Sequence, residues 1–450
     1  MRDRSGVEQV QQAVTSDVRT AAGGRFGVDP VRSAALVPGE ALPPEPRSRP
    51  ARPLGRSGPA VDPGDVHGVV RNRAGFDALE AEWTALFQRA GRSEQAFQSF
   101  AWLWHWANHY LPAAGEAAPG PGALAIVTVR RGGRLVLVWP LVLERVAGLR
   151  TLGWMGTPVS QYGDVLIDDL PDAAALLEAS WRFLVATLAP DLVGLRKVRA
   201  DAAVAPLLVG LGAVVTDRQV APYLDLASAP DFAAYETRYP AKARKNRRRQ
   251  LRRLEEHGAV CFETVTGGPA ARDLATRALA LKRDWLAGRG LVSPAMTDAR
   301  MAAFVADVAA ADAHPAGCRV SALSAAGEPA AIEIAFACKD RLLVHVIVYA
   351  PEFEKAGAGN LLIEESARRA KAEGIAALDL LAPGDAYKMD WADGAVAVED
   401  VSVALSRRGR LFQSVYLGFV RRRVKSALGA LPASLRRLVA SGYAILAAII

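Results

Sequence analysis

The sequence predicts an α/β fold made of two units of similar plan. In each unit, helical segments precede a pair of strands joined by a tight turn, and further strands, a helix and a last strand follow. The turn at Gly132-Gly133 has a counterpart about 195 residues later, at Ala326-Gly327. A repeated order of elements indicates a duplicated fold with mixed sheets flanked by helices. With 450 residues, 51% of them hydrophobic, the chain can bury a large core.

The first unit is expected over residues 66–226. Apolar residues recur at helical spacing from Phe76 to Phe87, and Gly132-Gly133 supplies the positive φ of a hairpin turn. The other predicted elements are an aromatic helix Phe97–Tyr110, strands at 123–130, 135–146, Leu149–Met155 and Asp164–Ile167, a helix Ala173–Leu188 and a strand Leu192–Val198.

The second unit is expected over residues 227–406. Its predicted helices are Lys242–His257, Ala271–Ala287, Asp298–Asp312 and Gly359–Glu373, and its predicted strands are 318–324, 329–338, Arg341–Tyr349 and 377–383. Simple alternation along the strand Arg341–Tyr349 puts Leu343, His345, Ile347 and Tyr349 on one face.

The two ends differ from the body. Residues 1–65 hold nine prolines, eight glycines and a single aromatic residue, which predicts a disordered leader. The net charge of +8 resides in the tail, 407–450, because nine basic residues and no acid follow Asp400. The tail ends in thirteen mostly apolar residues, too few to cross a bilayer, for which about 20 are needed. A basic amphipathic tail favours an anionic membrane surface, and docking on the body is the alternative.

The strand Arg341–Tyr349 leads into a glycine-containing loop and a helix that begins near Gly359. Backbone N–H groups at such a turn can approach an anion, and the helix dipole favours negative charge there. The candidate anion-binding residues are Lys355, Gly357, Gly359 and Asn360. A plain loop with a flexible cap is the alternative.

The run from Lys242 to Arg253 holds eight basic residues in twelve and no acid. This density favours a phosphate-bearing substrate or cofactor, for which Lys245 is a candidate ligand, over a merely solvated helix surface. No aromatic interleaving and no RNA-recognition pattern accompany the run, so the sequence disfavours nucleic acid.

Four stretches, in their order along the chain, carry a family resemblance: FQSFAWLWHW; LGWMGTPVSQYGDVLI; KARKNRRRQLRRLEEHG; and YAPEFEKAGAGNLLIEESARRAKAEG with LDLLAPGDAYKMDWA. The chain resembles the GNAT N-acetyltransferase superfamily. More narrowly it resembles the acetyltransferases of cellulose and exopolysaccharide biosynthesis, the CelD/BcsL type, which are related to the FemAB-type peptidyltransferases. The resemblance implies tandem GNAT-like domains and acetyl-CoA as the acyl donor. Two positions depart from the family pattern: Glu354 stands where Gln or Arg is usual, and Lys282 stands where a His is expected.

The resemblance also implies roles for single residues in direct acyl transfer. Lys388 is expected to stabilise charge on the donor or transition state, and Tyr387 to protonate the departing thiolate. His345 and Asp385 are candidate bases, with a satisfied strand histidine and a turn residue as the respective alternatives.

Further residues are candidates for binding the substrate. Tyr162 and Asp164 could bind hydroxyls of a sugar or peptide between the units, and turn chemistry is the alternative. Glu333, between two isoleucines, faces either the substrate groove or the open face of the sheet. Lys282 and Trp285 complete the set.

The sequence predicts no metal site. His105 and His109 have zinc-compatible spacing but lack an intervening Glu and a third ligand. The three cysteines show no ligand spacing and are expected to be free thiols of a reducing compartment.

Together these features predict a cytoplasmic acyltransferase, which the tail could hold at the inner face of the membrane. The expected reaction moves an acetyl group from acetyl-CoA to an amine or hydroxyl of a saccharide or cell-envelope precursor. A FemAB-like aminoacyltransferase is the first alternative. A non-catalytic scaffold of a polysaccharide assembly is the second, supported by Glu354 and Lys282.

Overall fold

The structure is a computed structural model that describes residues 64–111, 122–289, 291, 293–313, 316–421, 423, 424 and 427. Nearly all of the predicted leader and most of the predicted tail lie outside these residues.

Strands and short helices alternate in the first part of the chain. In order they are β1 Asp65–Val70, α1 Arg73–Asp77, α2 Glu80–Ala90, a 3-10 helix Ser93–Gln98, α3 Phe100–Tyr110, β2 Ala123–Leu124, β3 Ile126–Arg131, β4 Arg134–Trp139, β5 Leu141–Val146, β6 Leu149–Trp154, β7 Leu166–Ile167, α4 Ala173–Leu188, β8 Leu192–Arg199, α5 Ala205–Gly210 and β9 Val214–Asp225.

The second part holds the longer helices and strands. In order they are a 3-10 helix Leu226–Ser228, α6 Phe232–Glu236, α7 Ala241–Glu255, β10 Val260–Val265, α8 Gly268–Gly288, α9 Pro294–Thr297, α10 Ala299–Ala310, β11 Ala316–Ala325, β12 Glu328–Cys338, β13 Arg341–Tyr349, a 3-10 helix Pro351–Ala356, α11 Ala358–Ala372, β14 Ala377–Asp379, α12 Ala386–Trp391, β15 Gly394–Ala404, α13 Arg407–Leu411 and a π-helical segment Phe412–Val420.

The strands form a small sheet, β1-β3-β4-β7, and an eleven-stranded sheet, β10-β11-β12-β13-β14-β9-β15-β8-β6-β5-β2. The large sheet is mixed, because β13 pairs with β14 and β6 with β8 in parallel while its other pairs are antiparallel. This arrangement confirms the predicted α/β class with mixed sheets flanked by helices.

The two units share the large sheet. Strand β15, from the end of the second unit, lies between β8 and β9 of the first and pairs with both. Strand β9 also pairs with β14. Neither β9 nor β15 was predicted as a strand, so the boundary at 226/227 divides the chain but not the sheet.

Pro140 ends one predicted strand early. The stretch 135–146 was expected to be continuous, but β4 stops at Trp139 and β5 starts at Leu141. Strand β4 belongs to the small sheet and β5 to the large one. Because proline has no N–H to donate to a neighbouring strand, it marks the point where the chain changes sheets.

The aromatic helix of the first unit joins it to the second. This helix begins at Phe100 rather than Phe97, because the Ser99 side chain caps its N-terminus. Trp102 packs edge-to-face on Phe304 and Phe336, with ring centroids 4.8 and 4.9 Å away. These contacts agree with the expectation that the aromatic residues serve packing.

A bulge in β13 corrects the predicted face of that strand. Ile334 pairs with Val346 and Ala335 with Val344, so His345 is an extra residue in the ladder. Leu343 packs on the same core as the aromatic helix, whereas Ile347 packs on the opposite side, with residues of α11. The expected shared face of Leu343, His345, Ile347 and Tyr349 is therefore wrong beyond the bulge.

The remaining sequence features are accounted for locally. Cys318 and Cys338 are free and buried, and Cys261 is free and exposed. His109 pairs with Asp307 at 2.7 Å.

Among the described residues, no group of three or more His, Cys, Asp or Glu side chains could hold a metal ion. Within the described residues, no helix has the length and apolar character that a membrane crossing requires.

Candidate active site

The candidate site is the opening between β13 and β14. These parallel strands pair only over Arg341–Leu343 and Ala377–Asp379. Beyond this point β13 bulges at His345, and the chain after β14 turns through Leu381, whose φ is +59°. The two strands are therefore no longer paired where the loop before α11 and helix α12 begin.

Lys388 lies at the β14 side of the opening, on α12. Its ammonium group donates hydrogen bonds to the carbonyl oxygens of Leu381 and Pro383, at 3.1 and 3.0 Å. Its side chain is only 12% exposed, and burial lowers its pKa to about 8. The carboxylate of Asp385, which is exposed, is 3.8 Å from the ammonium nitrogen. An ammonium group has three protons to donate, so one remains for a bound group.

Lys282 lies at the β13 side of the same opening. Its Nζ donates to the carbonyl oxygen of Ile347 at 3.2 Å and lies 4.8 Å from the centre of the Trp285 ring. Burial lowers the pKa of Lys282. After burial, repulsion by the positive charge of Lys282 also contributes to the lowered pKa of Lys388.

His345, the bulged residue, faces the first unit. Its Nε2 is 3.1 Å from the carbonyl oxygen of Val159, which assigns the ring proton to Nε2. Its Nδ1 is buried and has no hydrogen-bond partner among the described residues. Burial lowers the pKa of His345 to about 4, so the ring is neutral near pH 7. A neutral ring with a free Nδ1 lone pair is an acceptor for a proton.

Tyr387 precedes Lys388 on α12 and is half-buried. It packs against the apolar core that contains Trp391. Burial raises its pKa, so the phenol keeps its proton. Its chemical state therefore suits a proton donor.

The predicted anion-binding turn joins the 3-10 helix before it to α11. Gly357 has φ of +67°, and the N–H groups of Ala358 and Gly359 fall in the first turn of α11, where no carbonyl of the helix precedes them. The side chain of Gln250 covers Gly357, because a Cβ there would lie 2.2 Å from its Nε2. Asn360 stays exposed and accepts a bond from Trp391 Nε1 at 3.4 Å. This bond connects the turn to the helix that carries Lys388.

The acid that departs from the family pattern is paired. Glu354 accepts from Arg289 at 2.9 Å and from the hydroxyl of Tyr349 at 3.1 Å. Trp285 Nε1 donates to the same hydroxyl at 3.2 Å. The negative charge of Glu354 is thus matched by a guanidinium. Lys355, its neighbour, is exposed.

The basic run forms α7, which packs beside α11 and the 3-10 helix before it. Arg247 is buried between the rings of Tyr239 and Trp391 and lies 3.3 Å from Glu364. Lys245 is exposed on the outer side of α7. Part of the run therefore holds the helix in place, and the rest is a basic surface next to the turn.

Three predicted substrate residues lie elsewhere. Asp164 is buried, and its carboxylate accepts bonds from Arg92, Gln95 and three backbone N–H groups, which leaves no acceptor for a substrate. The Tyr162 hydroxyl donates to the buried carboxylate of Asp379 at 2.9 Å, so it joins the two units. Glu333 is buried under α11 and accepts from Ser366 at 2.8 Å. All three side chains are buried and hydrogen-bonded within the protein, and a role for them in binding substrate stays a prediction.

The sequence analysis missed Lys197, which the first unit contributes. Arg196 and Lys197 oppose Asp400 alone across the β8–β15 pair, so they form a bulge, and Lys197 has φ of +54°. Its Nζ donates to Gln161 Oε1. Burial, together with the positive charges of Arg196 and Lys388, lowers its pKa to about 8. The sequence signal that could have identified Lys197 is the presence of a lysine within the largely apolar strand Leu192–Arg199.

The second unit matches a known domain. Residues 241–389 match the family model described as Acetyltransferase (GNAT) domain. The matched segment contains Lys282, His345, Gly357 and Lys388. The chain thus carries a GNAT acetyltransferase domain, and by class it is an acyltransferase enzyme. No curated protein matches the chain as a whole or in part.

Several solved structures are similar to the chain at low sequence identity. The crystal structure of FemX is 12% identical, covers 75% of this chain and 98% of its own, and has a TM-score of 0.50. A tandem GNAT protein from the clavulanic acid biosynthesis pathway is 15% identical over 75% of this chain and 98% of its own, with a TM-score of 0.43. A GCN5-related N-acetyltransferase from Kribbella flavida is 12% identical over 77% and 73%, with a TM-score of 0.34.

Proposed function

We propose that the protein transfers an acetyl group from acetyl-CoA to an amine or hydroxyl of a saccharide or cell-envelope precursor. One observation carries the proposal: the buried cation of Lys388 lies at the opening between β13 and β14, and its helix is bonded to the glycine turn through Trp391 and Asn360. The helix N-terminus and the basic surface of α7 fit the phosphates of such a donor.

The donor would supply the acyl group in activated form, as a thioester. In the proposed reaction, the nitrogen or oxygen of the acceptor bonds to the acyl carbon, and the carbon–sulfur bond breaks. Lys388 stabilises the negative charge that develops on the acyl oxygen. Nδ1 of His345 or the carboxylate of Asp385 takes the acceptor proton, and Tyr387 returns a proton to the departing sulfur.

The nature of the acceptor follows from the resemblance to the CelD/BcsL type, which extends the proposal to exopolysaccharide and cellulose biosynthesis. Contacts between the units support this proposal, because His345 on β13 contacts the carbonyl of Val159 in the first unit, and Lys197 of the first unit donates to Gln161 in the same loop. An acceptor would enter there, between the units.

The proposal includes contact of the tail with an anionic membrane. Leu411, Val415 and Phe419 form an exposed apolar stripe at helical spacing. Helix α13 beside it is arginine-rich, and Gln413 holds the segment to the body through Ser402. We expect deletion of residues 407–450 to move the protein from the membrane to the soluble fraction. An unchanged distribution would remove the membrane from the proposal.

Thermal stabilisation by acetyl-CoA tests the donor. A ligand at 100 times its Kd stabilises a protein by about 2.7 kcal/mol, which a melting experiment detects. We expect acetyl-CoA to stabilise the wild type, and Lys388→Ala to bind it nearly as well while losing turnover. If no CoA thioester stabilises the protein, the proposed donor is wrong.

A second candidate function is aminoacyl transfer from an aminoacyl-tRNA. The exposed basic side chains of α7 favour it, since Lys242, Lys245, Arg248 and Arg252 are exposed and no described acid forms an ion pair with them. Filter binding of tRNA separates the two functions. Tight tRNA binding without binding of acetyl-CoA would favour the second.

A further inference from the structure

Three lysines converge on the opening, and one of them comes from the first unit. Lys282 is held by the carbonyl of Ile347 on β13, Lys388 by two carbonyls that follow β14, and Lys197 by Gln161. Hydrogen bonds connect the three positions. Gln161 adjoins Tyr162, whose hydroxyl donates to Asp379, and Asp379 also accepts from the N–H of Leu381, whose carbonyl holds Lys388. Ile347, which holds Lys282, is two residues from His345, and His345 contacts Val159 in the loop that contains Gln161.

The acids near this cluster do not neutralise it. Asp385 is exposed and 3.8 Å from Lys388, which is longer than a hydrogen bond. Asp379 accepts from Tyr162, Arg199 and the Leu381 N–H. Asp400 accepts from the backbone N–H of Lys197 and pairs with Arg196 and Arg421 at 3.4 and 3.7 Å. The three ammonium groups therefore keep an excess of positive charge.

Like charges that are brought together away from water cost free energy unless an anion joins them. The hydrogen-bond acceptors of the three ammonium groups among the described residues are neutral oxygens, and the exposed ion pair of Lys388 with Asp385 at 3.8 Å sets one negative charge against three positive ones. Each group keeps at least one proton that it can donate. Such a site suits a carboxylate or phosphate, which accepts several charge-assisted hydrogen bonds at once.

The side of the sheet decides between donor and acceptor. The turn at Gly357 and helix α7 lie with α11 on one face. His345 and the Val159 loop lie on the other face, in the core that also contains the aromatic helix and part of α8, the helix that carries Lys282. Lys197 is bonded to Gln161 in the same loop. An anion held by Lys197 on that face would lie across the sheet from the turn at Gly357, the proposed binding site for the phosphates of the donor.

We propose that Lys197 and Lys282, supported by the nearby charge of Lys388, form an anion subsite for the acceptor, which carries a carboxylate or phosphate close to its nucleophile. This inference rests on the proposed acyltransferase function and adds the chemical class of the acceptor. Lys197 is its specificity-determining residue, so the first unit selects the substrate that the second unit acylates.

Residue-resolved lysine labelling tests the subsite. The full-length protein is treated with acetic anhydride, and the acetylation of each lysine is read by mass spectrometry, with malonate, inorganic phosphate or neutral malonamide present. We expect malonate and phosphate to protect Lys197, Lys282 and Lys388, and malonamide to protect none. The half-buried Lys371, in the last turn of α11, is the internal control and should label equally in all samples.

Two variants assign the role of Lys197. We expect Lys197→Gln to weaken malonate protection of the other two lysines about tenfold, the loss of one charge-assisted hydrogen bond. Lys197→Arg keeps the positive charge, so it should retain most of the malonate protection of Lys282 and Lys388. Equal protection in wild type and Lys197→Gln would overturn the assignment of this residue.

Adding CoA distinguishes the two sources of an anion. Protection by malonate that persists with saturating CoA supports an acceptor subsite. Full protection by CoA alone would overturn it, because the lysines would then bind the donor. Thermal stabilisation by acetyl-CoA without protection of the lysines by malonate or phosphate would overturn the subsite and leave the acyltransferase proposal intact. If acetyl-CoA gives no stabilisation and neither anion gives protection, both proposals are wrong.

Discussion

The chemistry of Lys388 depends on how its ammonium group is held. Two backbone carbonyls fix it at the edge of the opening, and its burial makes its charge effective there. We expect Lys388→Ala to lower kcat by at least about 100-fold, the loss typical of one preorganised charge. Circular dichroism should show an intact fold, and Lys371→Ala, at a half-buried position in the last turn of α11, should keep wild-type turnover. Near-normal turnover of Lys388→Ala would remove this residue from the mechanism.

The same burial predicts a pH dependence. Because the pKa of Lys388 is lowered to about 8, its ammonium group loses the proton as pH rises through that value rather than near the ordinary lysine value of about 10.4. If the charged form is active, kcat at saturating acceptor falls above about pH 8. Lys388→Arg keeps its charge throughout, so its profile should lack this fall. A wild-type kcat that stays level up to about pH 10 contradicts the assignment.

Single residues show what a sequence reveals about a site. Lys388 and Tyr387 stand next to a recognisable turn; Lys388 is bonded to the carbonyl of Leu381 after β14, and Tyr387 precedes it on α12. Asp164 and Tyr162 carry side chains suited to a sugar, but burial and bonding partners, which a sequence does not show, make them structural. Lys197 could not be predicted as a site residue, because it is the topology of the sheet that positions it.

At the scale of elements, the glycine turn before α11 offers a matched test. Gly357→Ala places a Cβ at positive φ and 2.2 Å from Gln250 Nε2, whereas Gly374→Ala, at φ of +81°, meets nothing within 4 Å. We expect Gly357→Ala to lower the free energy of unfolding by about 1–3 kcal/mol, and more than Gly374→Ala, which has only the backbone cost.

Urea unfolding of both variants measures the difference. Adding Gln250→Ala to Gly357→Ala should recover the steric part of the loss, because it removes the side chain that covers the turn. Equal losses in Gly357→Ala and Gly374→Ala would mean that Gln250 does not press on this turn.

Helices and strands marked by the spacing of apolar residues or by a turn sequence could be predicted. Features that depend on how one strand pairs with another could not. The spacing of apolar residues and the turn at Ala326-Gly327 located the hairpin of β11 and β12 correctly. The bulge at His345 depends on the register between β12 and β13, which a strand read alone does not fix. This one extra residue turns His345 towards the first unit, and therefore shapes the candidate site.

At the scale of the whole molecule, the two units share one sheet and are not structurally separate. The sequence showed two similar orders of elements, but the interleaving of β8, β15 and β9 joins segments about 200 residues apart. Such long-range pairing leaves no local signal. The shared sheet also explains how Lys197 and the Val159 loop of the first unit reach the opening of the second.

The shared sheet predicts that neither unit folds alone. A fragment of residues 66–226 lacks β15, so β8 and β9 lose the strand between them and expose unpaired backbone groups and core residues. We expect this fragment to show no cooperative unfolding in urea, whereas the whole chain unfolds in one transition. Co-expression with residues 227–450 supplies β15 and should restore a folded, co-purifying complex. A cooperative transition of the fragment by itself would show that the first unit is an independent domain, and the site would then depend on docking rather than on a common sheet.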